Sequence, residues 1–169
     1  MTRLILCAKS SWDPAFRREH ELARLAARAG HEVSFVERPR DIRELANSRR
    51  REWLDGLAGA APRTVGDVAV IGRSTFVPGH RHAVAGRLDQ RLLASLLDRL
   101  GGAVIVATVP WDWPAVARCK GARRIFDCTD DWCEIMPARS GRLRALYDRI
   151  AREADAIICA SEYFVLSAR

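Results

Sequence analysis

The chain has 169 residues, 49% hydrophobic and 29% charged, which is the balance of a single globular domain with a real core rather than of a disordered segment. No apolar run approaches the roughly 20 residues needed to span a bilayer, and the opening stretch before the first charges is too short for the apolar heart of a signal peptide. A cytoplasmic location is expected, with peripheral contact at the inner face of an anionic membrane as the alternative. The net charge of +7 permits nucleic acid, an anionic membrane or phosphorylated ligands without choosing among them, and only Lys9 and Lys120 are lysines. No helix-turn-helix, RRM or KH signature is present, so nucleic acid is the weakest of these partners.

The predicted elements alternate between strand and helix. Leu4 to Ala8 is a short apolar run and the first strand. Asp13-Pro14 offers an N-cap with proline at the first helical position, and Phe16, Leu22, Leu25, Ala26 and Ala29 give the helix its apolar stripe before Gly30 stops it. His31 to Glu37 is the second strand, punctuated by Pro39. Asp41 to Leu57 reads as a basic amphipathic helix, with Ile42, Leu45, Ala46, Trp53, Leu54 and Leu57 at helical spacing and Arg43, Arg50 and Arg51 opposite. Such a helix either packs on the sheet or lies on an anionic membrane.

Val65 to Gly72 is the third strand, and the loop after it carries His80-Arg81-His82. Leu88 to Leu100 forms the next helix, ended by Gly101-Gly102. Ala103 to Val109 is the fourth strand, with a short helix near Pro114 to Ala117. Arg124 to Thr129 is the fifth strand, Leu143 to Ile150 marks a helix, Ala156 to Ala160 is the sixth strand, and a further helix starts at Ser161. Strands alternating with helices predict an α/β domain: a Rossmann-like, doubly wound, mostly parallel sheet of about six strands.

The five cysteines include no C-x-x-C pair. Cys7, Cys128 and Cys159 fall in apolar strand-like runs, where a thiol serves as a small hydrophobe. Neither a disulfide framework nor a metal site is expected.

Ligands of open α/β sheets bind beyond the carboxyl ends of the strands. The first such turn, Lys9-Ser10-Ser11-Trp12-Asp13-Pro14, has neither the glycines of a dinucleotide fingerprint nor a phosphate-loop motif, so ordinary binding of NAD or ATP is disfavoured. Lys9, Ser10, Ser11 and Trp12 can still hold a hydroxylated or anionic ligand there, or form a plain exposed turn. His20, on the following helix, is a minor candidate beside an ordinary place at the core edge. Trp111-Asp112-Trp113 follows the fourth strand, where indoles can stack on sugar rings and a carboxylate can accept hydroxyl hydrogen bonds, or both indoles can cap the core.

Asp130-Asp131-Trp132, running straight off the fifth strand, is the leading candidate. Two neighbouring carboxylates repel, burial would raise the pKa of one, and such a group suits general-base work or the orientation of an acceptor hydroxyl. The competing reading is a helix N-cap with solvated charge. One Asp-Asp pair without further ligands is weak ground for a metal.

Several segments together resemble the N-terminal domain of a GT-B glycosyltransferase of the family 4 type. Trp12 followed by Arg18, His20, Leu22-Ala23, Leu25-Ala26, Gly30-His31 and Val33 resembles the first helix and second strand of that family. Ile125 to Trp132 resembles the YDxxDDW-like strand of one bacterial branch, and Glu153 to Ser161 resembles the strand that precedes the interdomain crossing.

The resemblance implies the acceptor-binding half of an enzyme that transfers a sugar from a nucleotide sugar to an acceptor hydroxyl. It implies no cofactor beyond that donor, which a C-terminal domain, in cis or in trans, would mainly hold. Asp130 stands where many relatives have a histidine, a departure that bears on its role. Because no second domain follows Arg169, residues 1–169 alone are expected to transfer little or nothing. The acceptor stays open among glycan, lipid-linked sugar and small molecule. The alternative function is a non-catalytic Rossmann-like binding or regulatory module that pairs with another chain.

Overall fold

A computed structural model describes residues 1–13, 16–41, 50–57, 59–75 and 83–160. The strands are β1 (Arg3–Cys7), β2 (Glu32–Asp41), β3 (Arg63–Val65), β4 (Val68–Thr75), β5 (Val104–Ala107), β6 (Arg123–Cys128) and β7 (Ala156–Cys159). Among the described residues they form one seven-stranded sheet in the order β3-β4-β2-β1-β5-β6-β7. Six run parallel, and β3 pairs antiparallel with β4. Without β3 the order is that of a Rossmann-like sheet, two halves winding outward from a central first strand.

The helices are α1 (Arg18–Arg28), α2 (Arg50–Leu57), α3 (Ala83–Leu100), α4 (Trp113–Val116), α5 (Trp132–Ile135) and α6 (Ser140–Glu153). None of them is long and apolar enough to cross a bilayer.

The middles of the central strands are mostly apolar because both sheet faces are covered. Ile5, Cys7, Ile71, Ile105, Ala107 and Phe126 point to one face, where Leu93 and Leu97 of α3 and Ile150 of α6 meet them. Leu6, Val33, Phe35, Val68, Val70 and Val106 point to the other, where Ala23 of α1 packs. Each large aliphatic or aromatic side chain buried this way contributes roughly 1.5–3 kcal/mol.

Where the chain departs from expectation, local chemistry gives the reason. The expected third strand, Val65 to Gly72, is two strands. Gly66 takes φ 59°, a left-handed conformation that folds Val65 back on Val68 and adds the antiparallel seventh strand. Pro39 does not end β2. It lies inside the strand at a register shift between Val36 and Pro39, an irregularity that tolerates the missing N–H.

The first helix starts at Arg18 rather than after Asp13. His20 Nδ1 accepts the Arg17 N–H at 3.0 Å, taking up a donor at the helix start that Asp13 was expected to serve. Phe16 and Leu25, expected on its apolar stripe, are 56% and 52% exposed.

Asp41 belongs to β2, and α2 is seen from Arg50, with Trp53 buried and its indole N–H donating to the Thr75 carbonyl at 3.3 Å. The expected helical residues Ile42, Arg43, Leu45 and Ala46 lie outside the described residues. So do the His80-Arg81-His82 loop and the helix expected from Ser161. The short helix near Pro114 begins earlier, as a 3-10 turn over Pro110–Asp112 that runs into α4. All five cysteines are free, with Cys7 and Cys128 buried inside their strands.

Candidate functional site

The carboxyl ends of β1, β2 and β6 open on a cleft of about 400 Å³. The turn after β1 supplies Lys9, Ser10, Ser11 and Asp13 to one wall, with Arg17 at the start of α1 and Arg38 near the end of β2. Asp130, Trp132 and Ile135, from the end of β6 and from α5, form the other wall.

The two walls meet through one ion pair. Lys9 Nζ donates to Asp130 Oδ2 at 2.5 Å and to Thr129 Oγ1 at 3.0 Å, and the Thr129 hydroxyl donates to Asp130 Oδ2 at 3.0 Å. Partial burial works to raise the Asp130 pKa. The hydrogen bonds from Lys9 and Thr129, with the positive charge of Lys9, outweigh it and hold the carboxyl below its usual range. Tyr147 of α6 supports this corner from behind: its hydroxyl donates to the Asp130 carbonyl at 3.2 Å and accepts the Trp132 N–H at 3.5 Å.

The neighbouring aspartate does something else. Asp131 turns back as the N-cap of α5, Oδ1 accepting the N–H of Cys133 at 2.9 Å and of Glu134 at 3.2 Å. The two carboxylates therefore diverge. The expectation that burial raises the pKa of one of them fails at Asp130, because Lys9 answers its charge. Within β6 itself, burial raises the carboxyl of Asp127 against the opposing pull of Arg18. Asp127 is 1% exposed; its Oδ1 accepts from Arg18 Nη2 at 3.0 Å, while its Oδ2 is buried with no hydrogen-bond partner among the described residues.

The rest of the first turn is built into the scaffold. The Ser10 hydroxyl donates to buried Glu19 at 2.6 Å, and the Ser10 carbonyl accepts the Arg38 N–H at 3.2 Å. Trp12 is not an exposed platform. It is 6% exposed, its N–H donates to Glu37 Oε1 at 2.7 Å, and its ring meets Phe35 edge-on at 4.8 Å. His20 is 1% exposed and both ring nitrogens are engaged: Nδ1 accepts from Arg17, so Nε2–H donates to the Ser11 carbonyl at 3.1 Å. Stacked 5.0 Å from Phe35, it fixes the turn instead of facing the cleft.

The Trp111-Asp112-Trp113 tract divides in three directions. Trp111 meets Trp132 edge-on at 4.6 Å and so backs the cleft wall. Trp113 is wholly buried, its indole N–H donating to Glu153 at 3.1 Å. Asp112 is sealed 1% exposed, 3.6 Å from Arg73 Nη1, while Arg73 Nη2 donates to Asp89 at 3.0 Å. Burial lifts the Asp112 pKa to about 6 against the pull of Arg73. It cannot meet a ligand in the cleft.

Sequence reasoning missed Arg17, Arg38, Asp127 and Tyr147. Arg38 and Asp127 had a readable signal, a charge near the carboxyl end of an apolar strand; Tyr147 had none, since its ring fits the helix stripe. Among the described residues no group of three or more His, Cys, Asp or Glu side chains converges to hold a metal ion.

Chemically, the cleft offers an ionised carboxylate for a hydroxyl, three cations for an anion, and an indole with an aliphatic neighbour for an apolar ring face. No family model and no curated protein matches the sequence. Among solved structures it is similar to a sucrose-phosphate synthase from Thermosynechococcus elongatus, with TM-score 0.67 and 11% identity over 99% of this chain and 81% of that one. At that identity the likeness is one of fold, and the chain has a Rossmann-like, glycosyltransferase-like fold.

Proposed function

We propose that the chain is the acceptor-binding domain of a glycosyltransferase, holding an acceptor in the cleft beyond β1, β2 and β6. The observation that carries this reading is the Lys9–Asp130 pair at the carboxyl edge of the sheet, side chains 18% and 32% exposed, beside Trp132. Asp130 accepts hydrogen bonds from acceptor hydroxyls, Lys9 keeps it ionised, and Trp132 offers an apolar surface to a sugar ring. A carboxyl held below its usual pKa is a weak proton acceptor, so its part is orientation rather than general-base catalysis. The nucleotide-sugar donor is bound mainly by a second domain, in cis or in trans.

The same low basicity favours a second reading, a binding module that performs no transfer itself. The test is titration of mono- and disaccharides into the chain, followed by amide and indole NMR shifts. Saturable shifts at Lys9, Ser10 and Trp132, lost in Asp130→Asn, support the acceptor cleft. Saccharide shifts confined to another surface, or a nucleotide sugar taking this cleft in preference, sink it. Measured transfer in the presence of the donor domain separates the enzyme from the module.

A further inference from the structure

We infer that Tyr147 is the positioning residue of the cleft: its hydroxyl fixes the turn at Asp131 that presents Asp130 to Lys9 and Trp132 to the ligand. The inference rests on the acceptor reading and names the group, outside the cleft, that holds its β6 wall in shape.

The backbone carries it. β6 leaves the sheet at Cys128, whose carbonyl accepts the Ala160 N–H at 3.1 Å. The chain is held again in α5, where the Asp131 and Trp132 carbonyls accept the N–H groups of Ile135 and Met136, each at 3.0 Å. Between these anchors lie the two peptide groups that flank Asp131. The Tyr147 hydroxyl engages both, donating to the Asp130 carbonyl at 3.2 Å and accepting the Trp132 N–H at 3.5 Å. Peptide groups are planar, so holding those on either side of a residue fixes its two soft torsions. Asp131 is held at φ −82° and ψ 92°. There the neighbouring side chains part: Asp130 Oδ2 accepts from Lys9 at 2.5 Å, while Asp131 Oδ1 turns back to the Cys133 N–H at 2.9 Å.

The surroundings of Tyr147 suit it to this part. Its ring packs against the core and meets Phe126 edge-on at 6.0 Å, which anchors the hydroxyl. Burial, with Cys128 close by, raises its pKa above the usual phenol range, so the hydroxyl keeps the proton that it donates to Asp130. Tyr147 does not itself line the cleft, so it acts through the residues it holds.

The experiment compares the full chain with Tyr147→Phe, which removes the hydroxyl and keeps the ring, and with Ile150→Val, which loosens the same helix and keeps the hydroxyl. Carbon NMR of the Asp130 carboxyl follows its titration, and indole NMR follows Trp132. Against partial burial, the hydrogen bonds from Lys9 and Thr129 and the charges of Lys9 and Arg17 hold Asp130 below the ordinary 3.8. Tyr147→Phe is expected to let it rise toward that value and to shift the Trp132 indole. Ile150→Val, though it unfolds at lower urea, is expected to leave both signals as in the wild type. Glucose and maltose should bind about tenfold more weakly to Tyr147→Phe alone. An Asp130 titration or a saccharide affinity unchanged in Tyr147→Phe overturns the inference and leaves the acceptor cleft standing. So do signals that move alike in both variants, in step with their urea midpoints, since the tyrosine is then ordinary core packing. A displaced Asp130 titration with neither saccharide bound by any of the proteins supports the positioning role and overturns the acceptor reading instead.

Discussion

Two charged clusters occupy the carboxyl edge of one sheet and have opposite relations to water. Lys9, Thr129 and Asp130 open on the cleft, with the Lys9 and Asp130 side chains 18% and 32% exposed. Arg73, Asp89 and Asp112 are sealed, their side chains at most 5% exposed. In the sequence the two tracts look alike, each an aspartate beside a tryptophan just past an apolar strand. The difference teaches that a strand end delivers charge to the edge, and the layer above it decides whether the charge meets a ligand or a counterion. In the sealed cluster Arg73 has two carboxylates to neutralise, so it acts on stability. In the open one the pair is accessible, so it acts on binding.

This contrast can be broken by substitution. The largest effect is expected for Arg73→Ala, which leaves Asp89 and Asp112 buried without their cation: about 3–5 kcal/mol less stability by urea unfolding. A loss under about 1 kcal/mol would show that the sealed cluster does not depend on the arginine.

The next effect is a pH dependence. The folded chain holds the Asp112 proton up to about pH 6, above the ordinary carboxyl value of 3.8. Its contribution to stability is present below the unfolded value and disappears as the pH rises through about 6. Between pH 4 and pH 7 the wild type should therefore lose up to roughly 3 kcal/mol more than Asp112→Asn. Parallel stability curves for the two proteins would place the titration elsewhere.

Asp130→Asn should do the reverse of Arg73→Ala, costing under about 1 kcal/mol of stability because the pair is screened by solvent. Acceptor binding and transfer in the presence of the donor domain should fall roughly 10- to 100-fold. Wild-type turnover would remove Asp130 from the site. The smallest effect is expected for Asp131→Ala, about 1 kcal/mol from loss of the α5 cap, with a smaller loss of binding than Asp130→Asn. If Asp131→Ala proves the more damaging to binding, the division of labour between the two aspartates is reversed.

The parallel sheet was legible because its strands are short continuous apolar runs such as Leu4 to Cys7 and Val68 to Ile71, separated by glycines and helical stripes. Arg63-Thr64-Val65 was not, since three residues with one apolar member carry no periodic signal and owe their strand to the Gly66 turn. Pro39 misled because a strand was expected to stop where a donor is missing, whereas a register shift absorbs the loss.

For the site, the edge was legible and the partnerships were not. Lys9 and Asp130 are 121 residues apart in the chain, and nothing local in either tract announces the other. The N-cap reading of the pair holds at Asp131, but which of the two aspartates caps was not legible, because the helix it starts has only four residues and leaves no pattern. Asp127 was hidden by its strand: alternation marks which residues are inward, and a charge among them becomes interpretable only once Arg18 is seen across from it.

The strand order has a consequence for biosynthesis. β1 emerges first and ends at the centre; β2 and then the β3–β4 hairpin extend the sheet on one side, and β5, β6 and β7 extend it on the other in the order they are made. Apart from β3, which reaches the sheet only through its hairpin with β4, each newly synthesised strand thus finds a finished edge to join, and none must wedge between two already paired. A parallel sheet is slow to form because its contacts are distant in the chain. Growth from the middle outward lets the ribosome supply them in a usable sequence, shortening the time during which an unpaired edge is open to another chain.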